Sequence, residues 1–364
     1  MGGSATATHP PGSELDPGPN VPRGIFGFSS HALGSALGLH VRLPAAAAPP
    51  GDTGDTGDPG PAGPAGRDEW DAAAVAWERV RTEFDAVDRA LSRFRDDSEL
   101  TALNRLAGTG RVLAVSWRLR TMLAAVHRAS RMTGGRFDAS VLADLEQLGE
   151  RGAALEIPDR TLTGGEPVVR LVPEGTPRAS LVRAPGAPVD GGGIGKGLAL
   201  RWAAATAIEA LPAGAGVLLD AGGDITSAGA APPDGWRVGI EDPILPGPDA
   251  EPLAVLAVER GSVATSSVRV RNWVGPGGAR VHHLLDPRTG DPARTGLIAV
   301  TVAGVDPAWS EVWSKALFLA GRDGIGVEAR ARGLAAWWVD DGGRLGMTPE
   351  ARQCSAWVAD SRVG

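Results

Sequence analysis

Among the 364 residues, four short stretches carry side chains whose types and spacing suit chemistry on a phosphorylated ligand. The first is Val189-Asp190-Gly191-Gly192-Gly193-Ile194-Gly195-Lys196-Gly197, entering a helix. Glycines let a backbone come close to a ligand, a helix start aims N–H groups at it, and Lys196 adds charge for phosphate. It is not a Walker A loop: the first glycine is one residue too close, and Gly197 stands where Ser or Thr would bind magnesium. A phosphate loop and a plain strand–turn–helix junction both fit these residues. The second stretch, Asp220-Ala221-Gly222-Gly223-Asp224, reads either as a tight hairpin turn or as glycines admitting a flat ring or a phosphate. The third, Thr265-Ser266-Ser267-Val268-Arg269-Val270-Arg271, offers hydroxyls and two guanidinium forks for phosphate oxygens. An edge strand with solvated arginines fits it equally. The fourth, His282-His283-Leu284-Leu285-Asp286-Pro287-Arg288-Thr289-Gly290, is the most specific. Adjacent histidines on an extended segment face opposite ways, so one at most enters a site. His283, with Asp286 nearby to orient it, is the candidate general base.

The elements that must hold these stretches follow from patterning. Alternating Leu37, Leu39, Val41 and Leu43 predict a strand. Apolar residues from Val75 to Leu91 recur at helical spacing and predict a helix over 68–94. Ser98 opens another helix, and Trp117 to Thr133 forms a third, stopped by Gly134-Gly135. Short strands are expected over 159–189, and an Ala-rich helix over 197–211. Strands follow at 216–220, 236–240, 253–258 and 298–302, then a helix over 311–319 and a strand over 334–339. Strands and helices are intermixed without a βαβ rhythm or an internal repeat, which predicts a single α+β domain over 23–360. Residues 1–22 are rich in Pro, Gly, Ser and Thr and are expected to be disordered. A second low-complexity run, GDTGDTGDPGPAGPAG, marks a flexible insertion over 44–67.

Composition removes several function classes. A formal net charge of −7 argues against a broad basic surface for nucleic acid, though not against a local basic pocket. The single cysteine, Cys354, excludes an internal disulfide framework and a cysteine-based zinc site. The first residues lack the basic and apolar regions of a secretory signal. No stretch approaches the roughly 18 consecutive apolar residues of a spanning helix. The expectation is a soluble, cytoplasmic protein with no membrane insertion.

Taken in order, VDGGGIGKG, LLDAGGDI, WRVGIEDP, VATSS and HHLLDPRTG resemble the FAD:protein FMN transferase (ApbE) family. Ser92-Arg93-Phe94 with Asp97-Ser98-Glu99-Leu100 and Asn104, then Thr133-Gly134-Gly135-Arg136-Phe137-Asp138, resemble its earlier motifs. Leu33-Gly34-Ser35 is similar to its N-terminal Met-Gly-Thr. The resemblance covers roughly residues 24–340. It implies one α+β domain binding FAD in a cleft, with a divalent cation, usually magnesium, at the pyrophosphate. It also implies FMN transfer to a threonine or serine hydroxyl of a partner protein, with release of AMP. Asp190 and Lys196 would contact FAD, and Leu33, Arg136, Phe137 and Asp138 would line its site. Gly222, Gly223, Asp224, Arg269 and Asp286 complete the implied FAD-contacting set. His283 matches the catalytic base, and the metal would meet the carbonyl of Gly193 and the carboxylate of Glu311.

One departure bears on the metal. The family's late helix carries Asp and, four residues on, Thr; this chain has Glu311 and Lys315 there. A charged lysine cannot ligate a cation. Either Lys315 takes the metal's place, or it forms an ordinary i,i+4 pair with Glu311. An altered, weaker magnesium site is the favoured expectation, because magnesium binds through few carboxylates and several waters. Ser267-Val268-Arg269, where the family often has Gly-Asp-Tyr, leaves the acceptor-side contacts open. Beside FMN transfer stand FAD hydrolysis to FMN and AMP, and a flavin-binding module without turnover.

Overall fold

Alternating burial along antiparallel strands fixes which side of the molecule receives the helices. In a computed structural model of the chain, residues 25–44, 64–150, 152, 170–176, 179–245, 247, 250–359 and 362 are described. The expected disordered start and the strands expected over 159–169 lie outside the described residues. So does most of the expected insertion, although its last residues open a helix.

The chain begins with a hairpin, β1 (Ile25–Ala32) and β2 (Ser35–Arg42). Only β2 stands out in the sequence. Gly27, Ser29 and Ser30 dilute the apolar signal of β1 around Phe26 and Phe28. A helix, α1 (Pro64–Leu91), follows, with proline at its first position, where no N–H is needed. Ser98 caps α2 (Glu99–Asn104) by accepting from the Thr101 N–H. Next come β3 (Val112–Ser116), α3 (Trp117–Met132) and the short α4 (Leu142–Gln147). β4 (Arg170–Thr176) and β5 (Ala179–Arg183) join β3 in a small sheet of order β3-β5-β4. The Ala-rich α5 (Gly195–Glu209) leads into β6 (Gly216–Ala221) and β7 (Asp224–Gly229). β8 (Trp236–Ile240), β9 (Ala254–Val258) and β10 (Gly261–Ser267) follow. A small hairpin, β11 (Asn272–Val274) and β12 (Arg280–His282), precedes β13 (Leu297–Gly304). The late helix α6 (Pro307–Ala331) is longer than its apolar pattern suggests. It breaks its backbone at Gly321, where φ is 75°. β14 (Ala335–Asp340), β15 (Leu345–Met347), α7 (Pro349–Cys354) and β16 (Ser355–Val358) complete the chain.

The principal sheet has eight strands in the order β1-β2-β6-β7-β10-β13-β14-β15, all paired antiparallel. One face receives helices: Leu37, Leu39, Val41, Val217 and Leu219 pack in a cluster with α1, α3 and α5. Further along, Val300, Val302 and Ala336 meet α6. The other face turns Val263, Ala335, Trp337 and Val339 toward the smaller β16-β9-β8 sheet. In β14 the period of two is visible directly, since Ala336 and Ala335 belong to opposite clusters. Helices on one side of an antiparallel sheet make this an α+β architecture, as expected.

The close crossing of α5 and α6 positions the site. A Cβ built on Gly197 would lie 2.5 Å from the Ala308 Cα and 2.6 Å from its nitrogen. The glycine that breaks the Walker pattern is therefore required by backbone contact between two helices. Gly197→Ala is expected to force the helices apart and cost about 1–3 kcal/mol of stability, as overpacking does, measured by urea denaturation.

Candidate functional site

Asn104 fixes the start of the glycine-rich loop. Its side chain accepts from the Val189 N–H and donates to the Val189 carbonyl, both at 2.9 Å and both buried. Asp190 donates its N–H to the Ala139 carbonyl at 2.7 Å, tying the loop to the turn after α3. That turn is shaped by Gly134 and Gly135, at φ 62° and 84°, and by Thr133, whose hydroxyl accepts from the Phe137 N–H at 2.9 Å. Asp138 accepts from both the N–H and the hydroxyl of Ser140 at 2.8 Å. Thus the two motifs meet although some fifty residues separate them.

The loop closes on itself before reaching any ligand. The Gly192 N–H donates to Asp190 Oδ1, and the Gly195 N–H to the Gly191 carbonyl. The Gly197 N–H donates to Glu311 Oε2 at 2.8 Å. A carboxylate at a helix start is favoured by the helix dipole, so Glu311 acts as a cap supplied by α6. Three of the N–H groups that the sequence offered to a phosphate are consequently in use. The cations remain. Lys196 pairs with the buried Asp224, whose other oxygen accepts from the Thr265 N–H at 3.1 Å. Lys315 reaches across from α6 and donates to the Gly192 carbonyl at 3.3 Å. A Cβ on Gly193 would meet Lys315 Nζ at 2.6 Å and Phe137 Cε2 at 2.8 Å. Burial lowers the pKa of both lysines below the usual lysine value, and in both cases Glu311 counters that effect most.

His283 lines the same pocket from the segment after β12. Its N–H donates to the Arg271 carbonyl at 3.3 Å, and its Nδ1 lies 3.2 Å from the same oxygen. A carbonyl only accepts, so Nδ1 carries the proton and the lone pair falls on Nε2. Burial first, then the charges of Lys315 and Arg271, hold its pKa well below the ordinary 6.5. The ring is neutral at physiological pH. His282 turns away toward the Phe318 ring, as the two-faced geometry of an extended pair requires.

Arg136, Phe137, Asp138, Asp190, Gly193 and His283 line one pocket together with Lys315. Lys196, Asp224 and Glu311 stand behind it through the contacts just described. Other expected residues lie outside the lining. Gly222 and Gly223 form the β6–β7 turn at φ 64° and 87°, which is the hairpin alternative for that stretch. Gly222 abuts Ser35 beside Leu33, itself at φ 50° in the β1–β2 turn. Asp286 binds the Arg288 guanidinium and backbone, so the group that orients His283 is the Arg271 carbonyl. Arg269 is exposed. Thr265, Ser266 and Ser267 belong to β10, an interior strand between β7 and β13, so the edge-strand alternative does not hold.

The sequence offers Arg271 beside Arg269 without choosing between them, gives Arg93 no role in the site, and does not mark Glu150. Glu150 binds Arg271 on one side and buried Arg93 on the other, and Arg93 in turn approaches Asp190 at 3.5 Å. Arg269 and Arg271 share the parity of a strand, so alternation cannot separate them. Arg93 lay within a recognised motif, whereas nothing in the sequence marks Glu150.

At the expected metal position the donors present fit a magnesium ion poorly. Glu311 holds an amide, an ammonium lies against Gly193, and among the described residues no group of three His, Cys, Asp or Glu side chains converges.

The sequence profile of the ApbE family matches residues 65–338. The chain is 32% identical over 269 residues to a FAD:protein FMN transferase of Treponema pallidum, spanning 68% of this chain and 71% of the relative. It is 27% identical over 292 residues to one of Klebsiella pneumoniae, spanning 75% and 80%. In three dimensions it resembles the ApbE protein of Thermotoga maritima, with TM-score 0.71 and 22% identity, covering 92% of this chain and all of that one (100%). The apo flavinyl transferase ApbE of Pseudomonas stutzeri gives TM-score 0.68 at 22% identity, covering 91% and 96%.

Asn104→Ala is expected to leave two buried backbone groups of Val189 unpaired, at about 1–3 kcal/mol of stability. Chemical denaturation measures that loss, and faster amide exchange over residues 189–194 locates it in the loop.

Proposed function

Because the chain belongs to the ApbE family, we propose that it is an FAD:protein FMN transferase, moving FMN from FAD onto a threonine or serine hydroxyl of another protein and releasing AMP. The observation that carries the chemistry is His283. It is neutral, its Nδ1 proton is held by the Arg271 carbonyl, and it shares a pocket with Lys315 and the glycine-rich loop.

The reaction forms a bond between the acceptor hydroxyl oxygen and the flavin-side phosphorus of FAD. It breaks the bond from that phosphorus to the bridging oxygen, which departs with AMP. As the hydroxyl attacks, its proton passes to His283 Nε2. Positive groups that oppose the phosphate charge as the bridge breaks lower the barrier, and they work best when already in place. Lys196 and Arg271 supply part of that field, each held by a carboxylate, Asp224 and Glu150 respectively. Phe137 against Gly193 gives the pocket an apolar wall, which limits competing attack by water. The magnesium implied by the resemblance enters no step. The acceptor is a protein, and among the described residues no helix is long and apolar enough to cross a membrane. The proposed setting is the cytoplasm.

The direct test incubates the protein with FAD and threonine-bearing acceptor proteins, reading FMN gain by intact mass and AMP by chromatography. If no acceptor gains FMN and no AMP forms, the proposal fails. His283→Ala is expected to slow transfer by about 10²–10⁴-fold while FAD still binds. The pH profile of kcat/KM carries a sign. The active histidine is neutral and its pKa is depressed, so the acid limb should fall below pH 6.5. The lysines act protonated with depressed pKa values, so the alkaline limb should fall below 10.5.

A further inference from the structure

Lys315 is the cation in this pocket left over after the other charges are matched. Lys196 is engaged by Asp224, and Arg271 by Glu150. Among the described residues Lys315 takes part in no ion pair; its hydrogen bond goes to the Gly192 carbonyl, a neutral acceptor. It also lines the pocket directly, together with His283 and Asp190. The loop is shaped around it. A Cβ at Gly193 would lie 2.6 Å from Lys315 Nζ and 2.8 Å from Phe137 Cε2, so the ammonium in its present place uses space that the loop leaves open by being glycine.

The nearby acid is committed elsewhere. Glu311, one helical turn before Lys315, accepts from the Gly197 N–H and is buried. A divalent cation between Gly193 and Glu311 would share that carboxylate with the Gly197 N–H and sit beside an ammonium. Among the described residues no group of three His, Cys, Asp or Glu side chains comes together to hold an ion. The ammonium lies against Gly192 and Gly193, the loop segment from which the implied metal would take its carbonyl. We propose that Lys315 is the resident cation of this site, and that the chain binds the pyrophosphate of FAD, and transfers FMN, without a divalent metal. This rests on the FMN-transfer reading and deepens it. A lysine offers three donors and one charge in a fixed place, so it meets phosphate oxygens without coordination geometry and without exchange with the medium. During the reaction its proton stays on nitrogen. It offsets charge on the phosphate as the bridging oxygen leaves with AMP, while His283 takes the proton of the acceptor hydroxyl.

The experiment titrates FAD into the full chain by calorimetry, once in EDTA and once in magnesium. In parallel, manganese without FAD is followed by electron paramagnetic resonance. Wild-type FAD affinity should agree within about twofold between the two buffers, and manganese should remain free. Lys315→Met, with folding checked by circular dichroism, should weaken FAD binding in EDTA by about ten- to a hundredfold, the range for a hydrogen bond to a charged group. Wild-type affinity that drops about tenfold or more in EDTA overturns the assignment. So does stoichiometric manganese binding, or unchanged affinity in a folded Lys315→Met. If that variant does not fold, the wild-type comparison decides alone. Absence of FAD binding in both buffers defeats the FMN-transfer reading, and this proposal with it. Metal-dependent binding sinks only the lysine assignment.

Discussion

The crossing of α5 over the start of α6 is the contact on which the site depends. Gly197 has no Cβ, so the two backbones touch at Ala308, and Glu311 is brought within 2.8 Å of the Gly197 N–H. One helical turn further along α6, Lys315 then falls beside Gly192 and Gly193. A wider crossing would leave the α5 N–H without its carboxylate and carry the ammonium out of the loop. Helix packing, capping and the charge of the pocket are therefore one constraint seen at three levels.

Around that crossing, charges are arranged in chains rather than in isolated pairs. Arg93 and Arg271 share Glu150, Arg93 approaches Asp190, and Lys196 holds Asp224, which in turn receives the Thr265 N–H. Such chains keep half-buried charges compensated and fix their positions before a ligand arrives. Preorganisation of this kind is what phosphoryl transfer requires, because little covalent chemistry is asked of the protein. The histidine follows the same logic. Burial and neighbouring cations keep it neutral, and a backbone carbonyl sets its tautomer.

The eight-stranded sheet supplies the rigid support. Its helical face carries α1, α5 and α6, and its opposite face is closed by the β16-β9-β8 sheet. Strand alternation in β14 and the Ala-rich surface of α5 are what permit both layers to pack closely. The pocket lies where the turn after α3, the loop before α5, the segment after β12 and α6 converge.

Much of this was written in the chain itself. Periodicity marked α1 and α3, alanine content marked α5, and patterning marked β2, β6, β13 and β14 but not β1 or β7; the order of the glycine–lysine, hairpin and double-histidine motifs identified the family. Local chemistry also limited the pair to one histidine at most in the site, because neighbours on an extended segment face opposite ways. The roles within the site were decided by tertiary structure. Sequence spacing offered Asp286 to orient His283, but a turn gives Asp286 to Arg288 and brings the Arg271 carbonyl instead. It offered the α5 start to a phosphate, but α6 supplies Glu311 to cap it. It could not choose between Arg269 and Arg271, nor mark Glu150 at all. The reason is physical: propensity and patterning act over a few residues, whereas the partner of a charged or hydrogen-bonding group is set by which distant segment the packed core brings within about 3 Å.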